Sequence, residues 1–447
     1  VGSAMGTGVV IAVLGSGLMP AFAAADRVTP AQSMSDQITM GQAGPDPAAA
    51  PGATIGDPAA TSRGVTLLPL PTIAGAHLVP VAFAELEGWR DDDAAAAFLP
   101  FLKSCAALGT PQKEEGPPSV PTLKAGLRHA CAAALRLGTP APSREVARLF
   151  FEANFRAVRV IPDGREDGFF TGYYEPEIEG SLTPTETFTV PVYGRPADLV
   201  MERPNANAGT AGRMVDGALQ PYFDRAAIED GALEGRGLEL VYVRDPIDLF
   251  FMQIQGSGRV RLPDGHVLRL NYDGYNGYPY VPVGRLLIQR GLVPREEISM
   301  DRIRAFMEED PEAGRALRRE NPSYVFFKAL DLPSDAGAMG AQGVPLAAGR
   351  SLAVDRHLHT YGAPVFVSAQ LPLSGPDAAE PFHRLMIAQD TGSAIRGPAR
   401  ADLFFGAGPE AGAVAGRIRH GGSFTLLVPR LAASGGVDAP PPGAKLP

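Results

Sequence analysis

After Ile161 the chain stops repeating apolar residues every three or four positions. It breaks instead into short β-rich stretches separated by Gly, Pro and Asp-Gly, and this change most narrows what it can fold into. The stretches are 168–175, 188–193, 238–242, 249–255, 259–262 and 266–270. The last two predict a hairpin, with Pro263-Asp264-Gly265 as its turn. A helical interlude over 283–309 precedes a second β-rich stretch between 326 and 428. Upstream, from 78 to 159, the period is helical: Phe83, Leu86 and Trp89, then Ala97, Phe98, Phe101 and Leu102, then a run over 123–137, then a third helix with Ser143 as N-cap. The regular strand–helix alternation of a doubly wound fold is missing. The pattern predicts β-barrel material with a helical lead-in and helical insertions.

Length and charge bound the function. At 447 residues the chain has room for two or three cores, and its 52 Gly and 43 Pro suit a turn-rich fold. A net charge of −9 argues against a surface that neutralises phosphates, so nucleic acid is not expected as a partner. Residues 6–25 are apolar and end in an A-x-A-like run, which reads as a secretory signal peptide, with a buried helix or retained anchor as the alternative. No Cys near that run offers a lipid attachment site, and no later stretch reaches the roughly 20 apolar residues of a membrane span. The Ala, Pro, Gly, Asp and Ser sequence that follows, to about Arg63, reads as a disordered linker. Cys105 and Cys131 suit either one disulfide or two buried thiols. No Cys/His set has zinc spacing, and the pair His357 and His359 reads as structural, so neither metal nor cofactor is expected.

Two aspartates interrupt apolar sequence in the last β stretch. Asp390 is followed by Thr391 and Gly392 and reads either as a turn-stabilising residue or as a functional one. Asp402 sits in Ala401-Asp402-Leu403-Phe404-Phe405 with no turn residue beside it. Strand alternation puts Asp402 and Phe404 on one face, Leu403 and Phe405 on the other. A carboxyl sharing its face with a phenylalanine is in a setting that raises pKa, as a general acid requires, although a structural aspartate fits the same pattern. The glycine-rich sequence 406–412 superficially matches a dinucleotide fingerprint, but too little chain follows for a nucleotide domain. Its glycines are better read as allowing close backbone approach to the Asp402 strand. Three further stretches combine aromatic rings with amides and hydroxyls, as a glycan groove needs: Phe169-Phe170-Thr171-Gly172-Tyr173-Tyr174-Glu175-Pro176, the run Phe250 to Gly258 with Gln253, Gln255 and Ser257 expected on one face of a strand, and Asn271 to Tyr280. Each is also ordinary core and turn material.

Together and in order, FTGYYEP, QIQGSG and three aspartates, Asp355, Asp390 and Asp402, resemble the membrane-bound lytic murein transglycosylase A family from about Phe169 to Val428. The resemblance implies a mainly β protein: a double-psi β-barrel with a helical N-terminal part, a second β domain inserted into it, and a groove between the two. The corresponding division is signal peptide 1–25, linker 26–65, lead-in and first barrel part 66–176, insert 177–335, second barrel part 336–430 and disordered tail 431–447. It implies cleavage of the β-1,4 bond between N-acetylmuramic acid and N-acetylglucosamine with a 1,6-anhydro product, Asp402 acting as acid and then base. Asp390 would assist it, and Thr171, Gly172, Tyr173, Tyr174, Gln253, Gln255, Gly256, Ser257, Gly258, Asp355 and Gly392 would hold the glycan. The partner would be peptidoglycan strands, with other wall proteins as further candidates, and the protein a periplasmic monomer near the outer membrane. Two departures stand out: the lipidation Cys frequent in the family has no counterpart, and Ser393 replaces the usual glycine. Competing readings are a hydrolase pairing Asp402 with Asp390 or Glu175, and a non-catalytic expansin-like binder.

Overall fold

The computed structural model describes residues 70–109, 120–138, 142–201, 211–333 and 335–430. The expected signal peptide, linker and tail lie outside the described residues. Strand β1 (Ala76–Val81) and a 3-10 turn (Phe83–Glu85) lead into three helices, α1 (Ala94–Leu108), α2 (Val120–Leu137) and α3 (Arg144–Asn154). The Ser143 hydroxyl accepts from the Val146 amide, capping α3 as its sequence predicts. Cys105 and Cys131 form a disulfide that ties α1 to α2. Strands β2 (Phe155–Pro162) and β3 (Gly168–Glu175) follow.

From Glu177 the chain builds a second body: β4 (Glu177–Ser181), β5 (Val190–Tyr193), β6 (Val200–Met201), β7 (Ala211–Val215), β8 (Ala218–Pro221), α4 (Arg225–Glu229), β9 (Glu239–Val243), α5 (Pro246–Gln255), β10 (Ser257–Arg261), β11 (Val267–Tyr275), α6 (Val283–Gln289), α7 (Met300–Glu309), α8 (Pro311–Arg319) and β12 (Val325–Leu330). Its main sheet has the order β12-β11-β10-β4-β9-β5, and β6, β7 and β8 form a separate meander. The β10–β11 hairpin turns where predicted: Gly265 adopts a φ of +86°, and the His266 amide donates to Asp264 Oδ1 at 2.9 Å.

Two expectations for this region need correction. Residues 249–255 are helical, not a strand. Pro246 occupies the first turn, the Asp245 carboxylate accepts from the Ile247 amide, and Gly256 ends the helix in the left-handed region at a φ of +79°. The apolar run is buried because Phe250 and Phe251 pack against Val283, Leu287, Met307 and Leu317 of α6–α8. The helical interlude is also longer than predicted, because Asp310 caps a further helix, α8.

The remaining strands, β13 (Ser351–Val354), β14 (Pro364–Leu371), β15 (Glu380–Asp390), β16 (Arg400–Ala407) and β17 (Arg419–Pro429), with helix α9 (Gly408–Ala415), return to β3. Neighbour follows neighbour as β17-β14-β15-β13-β16-β3, and β3 pairs back onto β17, so six strands close a barrel. Closure removes the exposed edges an open sheet would carry. Alternation fills it: Val365 and Val367 of β14 and Met386 and Ala388 of β15 face one core, while Phe366, Leu385 and Ile387 face the helices. That second core contains Phe98, Phe101, Phe150, Phe151 and Phe155, whose rings meet largely edge to face. The mainly β architecture with helical additions agrees with the sequence reading.

Candidate active site

The parallel pair β3 and β16 sets the centre of the site. Its register places Asp402 opposite Thr171, and β13 on the other side places Ala353 opposite Asp402. Ala353 in turn pairs with Asp390 of β15, across a bulge that skips one residue. A bulge re-aims the side chains beyond it. Asp390, Ala353, Asp402 and Thr171 therefore form one row across four strands. The backbones of the two aspartates are two strand spacings apart, roughly 9–10 Å. Because Ala353 is small, the row has a dip between the carboxyl groups.

Each carboxyl is held differently. The Thr171 hydroxyl donates to Asp402 Oδ1 at 2.6 Å, and Arg400 Nη2 donates to Thr171 Oγ1 at 2.7 Å. Burial pushes the Asp402 pKa above the ordinary carboxylate value, against the opposing pull of Arg400 and of the Thr171 hydrogen bond. Asp390 accepts from three donors: the Ala341 and Thr391 amides at Oδ1, both at 2.9 Å, and the Tyr173 hydroxyl at Oδ2, also at 2.9 Å. Burial outweighs these donors and raises its pKa to about 6, with the charge of Asp402 adding to the rise. The alternation read from the sequence holds in β16: Phe404 packs against Tyr173, tilted by 51° at 5.2 Å between ring centroids, and Leu403 joins the barrel core.

In front of the row lies a cavity of about 270 Å³. Its barrel wall includes Gly172, Tyr173, Ala353, Arg400 and the loop from Asp390 to Ile395. The facing wall comes from the inserted body: Arg225, Gln253, Gln255, Tyr280, Asn321 and Ser323. Gln253 is fixed by donating from Nε2 to the Val325 carbonyl at 3.1 Å. Gln255 crosses to the barrel, its Oε1 accepting from the Tyr174 amide at 3.0 Å. Tyr280 is buried enough that its phenol is pushed up to about 12.

Of the residues singled out in the sequence, Gly172, Tyr173, Gln253, Gln255, Asp390, Gly392 and Asp402 line this cavity. Thr171 stands behind it on Asp402. Tyr174 lies against Gly412 of α9, whose added Cβ would come within 2.8 Å of the tyrosine ring. Gly256 caps α5, Ser257 begins β10, and Gly258 backs onto Met252, where a Cβ would meet the sulfur at 2.3 Å. Asp355 is 5% exposed and binds backbone, accepting from the His357 amide at 3.0 Å and the Gly397 amide at 2.9 Å. It fixes the two loops that flank the row and does not line the cavity. His359 is buried and hydrogen-bonds through Nε2 to the Pro398 carbonyl at 2.7 Å. Among the described residues no group of three or more His, Cys, Asp or Glu is placed to hold a metal ion. Sequence reasoning missed Arg400, Ala353, Arg225 and Asn321. Arg400 alone left a readable signal, since it is two positions before Asp402 on one strand and so shares its face.

Glu175, which with Asp390 was one of the two carboxylates the sequence offered as a partner for Asp402, does not line the cavity. It is 1% exposed, and its oxygens bind Arg259 Nε at 2.8 Å and Arg269 Nη2 at 3.0 Å.

Comparison with known proteins places these features. Residues 169–328 match the family described as the MltA specific insert domain, and residues 350–428 match the 3D domain. The membrane-bound lytic murein transglycosylase A of Vibrio cholerae is 40% identical over 271 residues, which is 59% of this chain and 66% of that protein, just under two thirds of its length. The structure of a membrane-bound lytic murein transglycosylase from Agrobacterium tumefaciens is 38% identical with a TM-score of 0.70, the match covering 79% of this chain and 97% of that one. The structure of Escherichia coli MltA with bound chitohexaose is 28% identical with a TM-score of 0.57, covering 82% of this chain and 96% of that one.

Proposed function

The chain belongs to the membrane-bound lytic murein transglycosylase A family, and we propose on that footing that it cleaves peptidoglycan strands without water, with Asp402 as its acid and base. The observation that carries the assignment to Asp402 is its place: a part-buried carboxyl of raised pKa on the cavity wall, beside a gap that Ala353 leaves open. In this reaction the protonated carboxyl gives its proton to the oxygen leaving between N-acetylmuramic acid and N-acetylglucosamine. The carboxylate so formed then takes the proton of the muramyl C6 hydroxyl, whose oxygen closes on C1 as a 1,6-anhydro ring. A hydrolase needs a second carboxyl as nucleophile or to activate water. Here the nucleophile belongs to the substrate, and its high effective concentration makes one acid sufficient.

Asp390 supports the site without acting as that second carboxyl. Both its oxygens are engaged by the Ala341 and Thr391 amides and the Tyr173 hydroxyl, so its role is to hold the loop containing Gly392 against the row. Gln253, Gln255 and Tyr280 on the opposite wall supply the amides and the ring that suit an N-acetylated sugar. The Escherichia coli relative was solved with bound chitohexaose, which supports a glycan as the ligand. We divide the protein accordingly into a helical lead-in with the first barrel part, residues 66–176, an insert, residues 177–335, and the second barrel part, residues 336–430. Among the described residues no helix is long and apolar enough to cross a membrane. The relatives' description as membrane-bound, and the location of the substrate, favour work in the periplasm near a membrane.

Mass spectrometry of muropeptides released from purified sacculi tests this reading. The native protein should yield 1,6-anhydro ends, and Asp402→Asn should yield almost none. Reducing ends would overturn it in favour of hydrolysis, and binding without release in favour of an expansin-like role.

A further inference from the structure

Around Asp402 the parallel register builds a square of four side chains. Arg400 lies opposite Phe169 and Asp402 opposite Thr171, with Arg400 and Asp402 sharing one face of β16 and Phe169 and Thr171 one face of β3. The guanidinium lies over the Phe169 ring, 5.4 Å from its centroid, and Nη1 donates to the Ala401 carbonyl. Phe169, 37% exposed, is covered on one face by this guanidinium. The two contacts leave Nη2 aimed along the diagonal at Thr171 Oγ1, 2.7 Å away.

A hydroxyl has a single hydrogen to donate, and a guanidinium donates without ever accepting. With Arg400 on one side, the Thr171 oxygen is an acceptor there, so its one hydrogen goes to Asp402 Oδ1 at 2.6 Å. An oxygen that is accepting such a bond is the wrong place for the acid's own proton. We propose that Arg400 is a positioning residue: by fixing the direction of the Thr171 hydroxyl it commits Asp402 Oδ1 as an acceptor, so that Oδ2 alone carries the proton that is given and taken back. The proton leaves Oδ2 for the glycosidic oxygen, and the C6 hydroxyl returns one to the same atom. The Thr171 bond persists throughout and favours the carboxylate formed between the two transfers. This rests on Asp402 being the acid of the proposed reaction.

The consequence is that Arg400 acts through Thr171, and a double-mutant cycle reads that directly. Release of muropeptides from sacculi would be followed with the native protein, Arg400→Met, Thr171→Val, the double variant and Thr171→Ser. Each of the two single variants that break the chain of bonds should lower kcat by about 10²-fold with KM little changed, as expected for a misaligned catalytic group. The double variant should be no slower than either single variant. Thr171→Ser, which keeps the hydroxyl, should recover most of the rate, and thermal melting of each variant separates misfolding from misalignment. The proposal is overturned if the two losses multiply, if Arg400→Met raises KM alone, as a residue binding only the substrate would, or if Thr171→Ser is as slow as Thr171→Val. Multiplying losses with anhydro products still formed would remove this inference alone, whereas reducing-end products from the native protein would remove the reaction beneath it.

Discussion

Asp390 shows what one buried carboxyl costs the molecule. Its pKa rises from 3.8 to about 6, chiefly through burial. A group whose folded pKa is raised contributes stability that is present below its unfolded value and lost as the pH passes up through the folded one. A shift of about two units amounts to about 3 kcal/mol, lost between roughly pH 4 and pH 6. Asp390→Asn keeps an oxygen for the two amides and offers an N–H to the Tyr173 oxygen, while removing the charge. We expect the variant to be more stable than the native protein above about pH 6, by up to about 3 kcal/mol, with the advantage gone below about pH 4. Urea denaturation at a series of pH values checks this, and a stability difference independent of pH would refute it. Activity should fall all the same, because Thr391 and the loop beyond it lose a charged anchor.

At the scale of elements, α9 shows how the glycines serve the site. An added Cβ at Gly172 would lie 2.7 Å from the Cα and 2.8 Å from the carbonyl oxygen of Ala415, so β3 and α9 touch at main-chain distance immediately beside Thr171. Gly172→Ala should cost about 1–3 kcal/mol, as overpacking does, and slow muropeptide release by displacing Thr171 and Tyr173. The obstacle is backbone, so adding Ala415→Gly should restore neither stability nor rate; recovery in the double variant would place the conflict elsewhere. The glycine-rich run after Asp402 carried no signal of this approach: an added Cβ at Gly412 meets the Tyr174 ring and one at Gly408 meets nothing within 4 Å, whereas the main-chain contact is made at Gly172. The sequence also misled over α5. A short apolar run is ambiguous between buried strand and buried helix, and the deciding signals were Asp245-Pro246 at its start and Gly256 at its end. The face of β16 was readable from alternation alone because both its sides are packed, with Leu403 in the barrel core and Phe404 against Tyr173.

For the whole molecule, local pattern carries no signal of closure. Thr171 meets Asp402 across 231 positions, and the row of Asp390, Ala353, Asp402 and Thr171 exists only once β3, made early, pairs with strands made late. The inserted body interrupts the barrel between these partners, and the groove depends on how the two are joined. That junction is where Glu175 lies. Its carboxylate receives Arg259 and Arg269 at the point where the chain leaves the barrel, and the same two arginines donate to the Ala336 and Pro333 carbonyls, where it returns. One buried anion thus fastens both crossings and sets the cavity walls against each other. Glu175→Gln removes the carboxylate that both guanidinium groups share, and removing one partner of a buried ion pair typically costs about 3–5 kcal/mol. We expect the variant to unfold at lower denaturant by an amount in that range. Where it remains folded it should raise KM for sacculi more than it lowers kcat, because the groove is loosened while Asp402, Thr171 and Arg400 keep their places within the barrel. A loss confined to kcat would show that Glu175 acts on the chemistry and not on the walls that hold the strand.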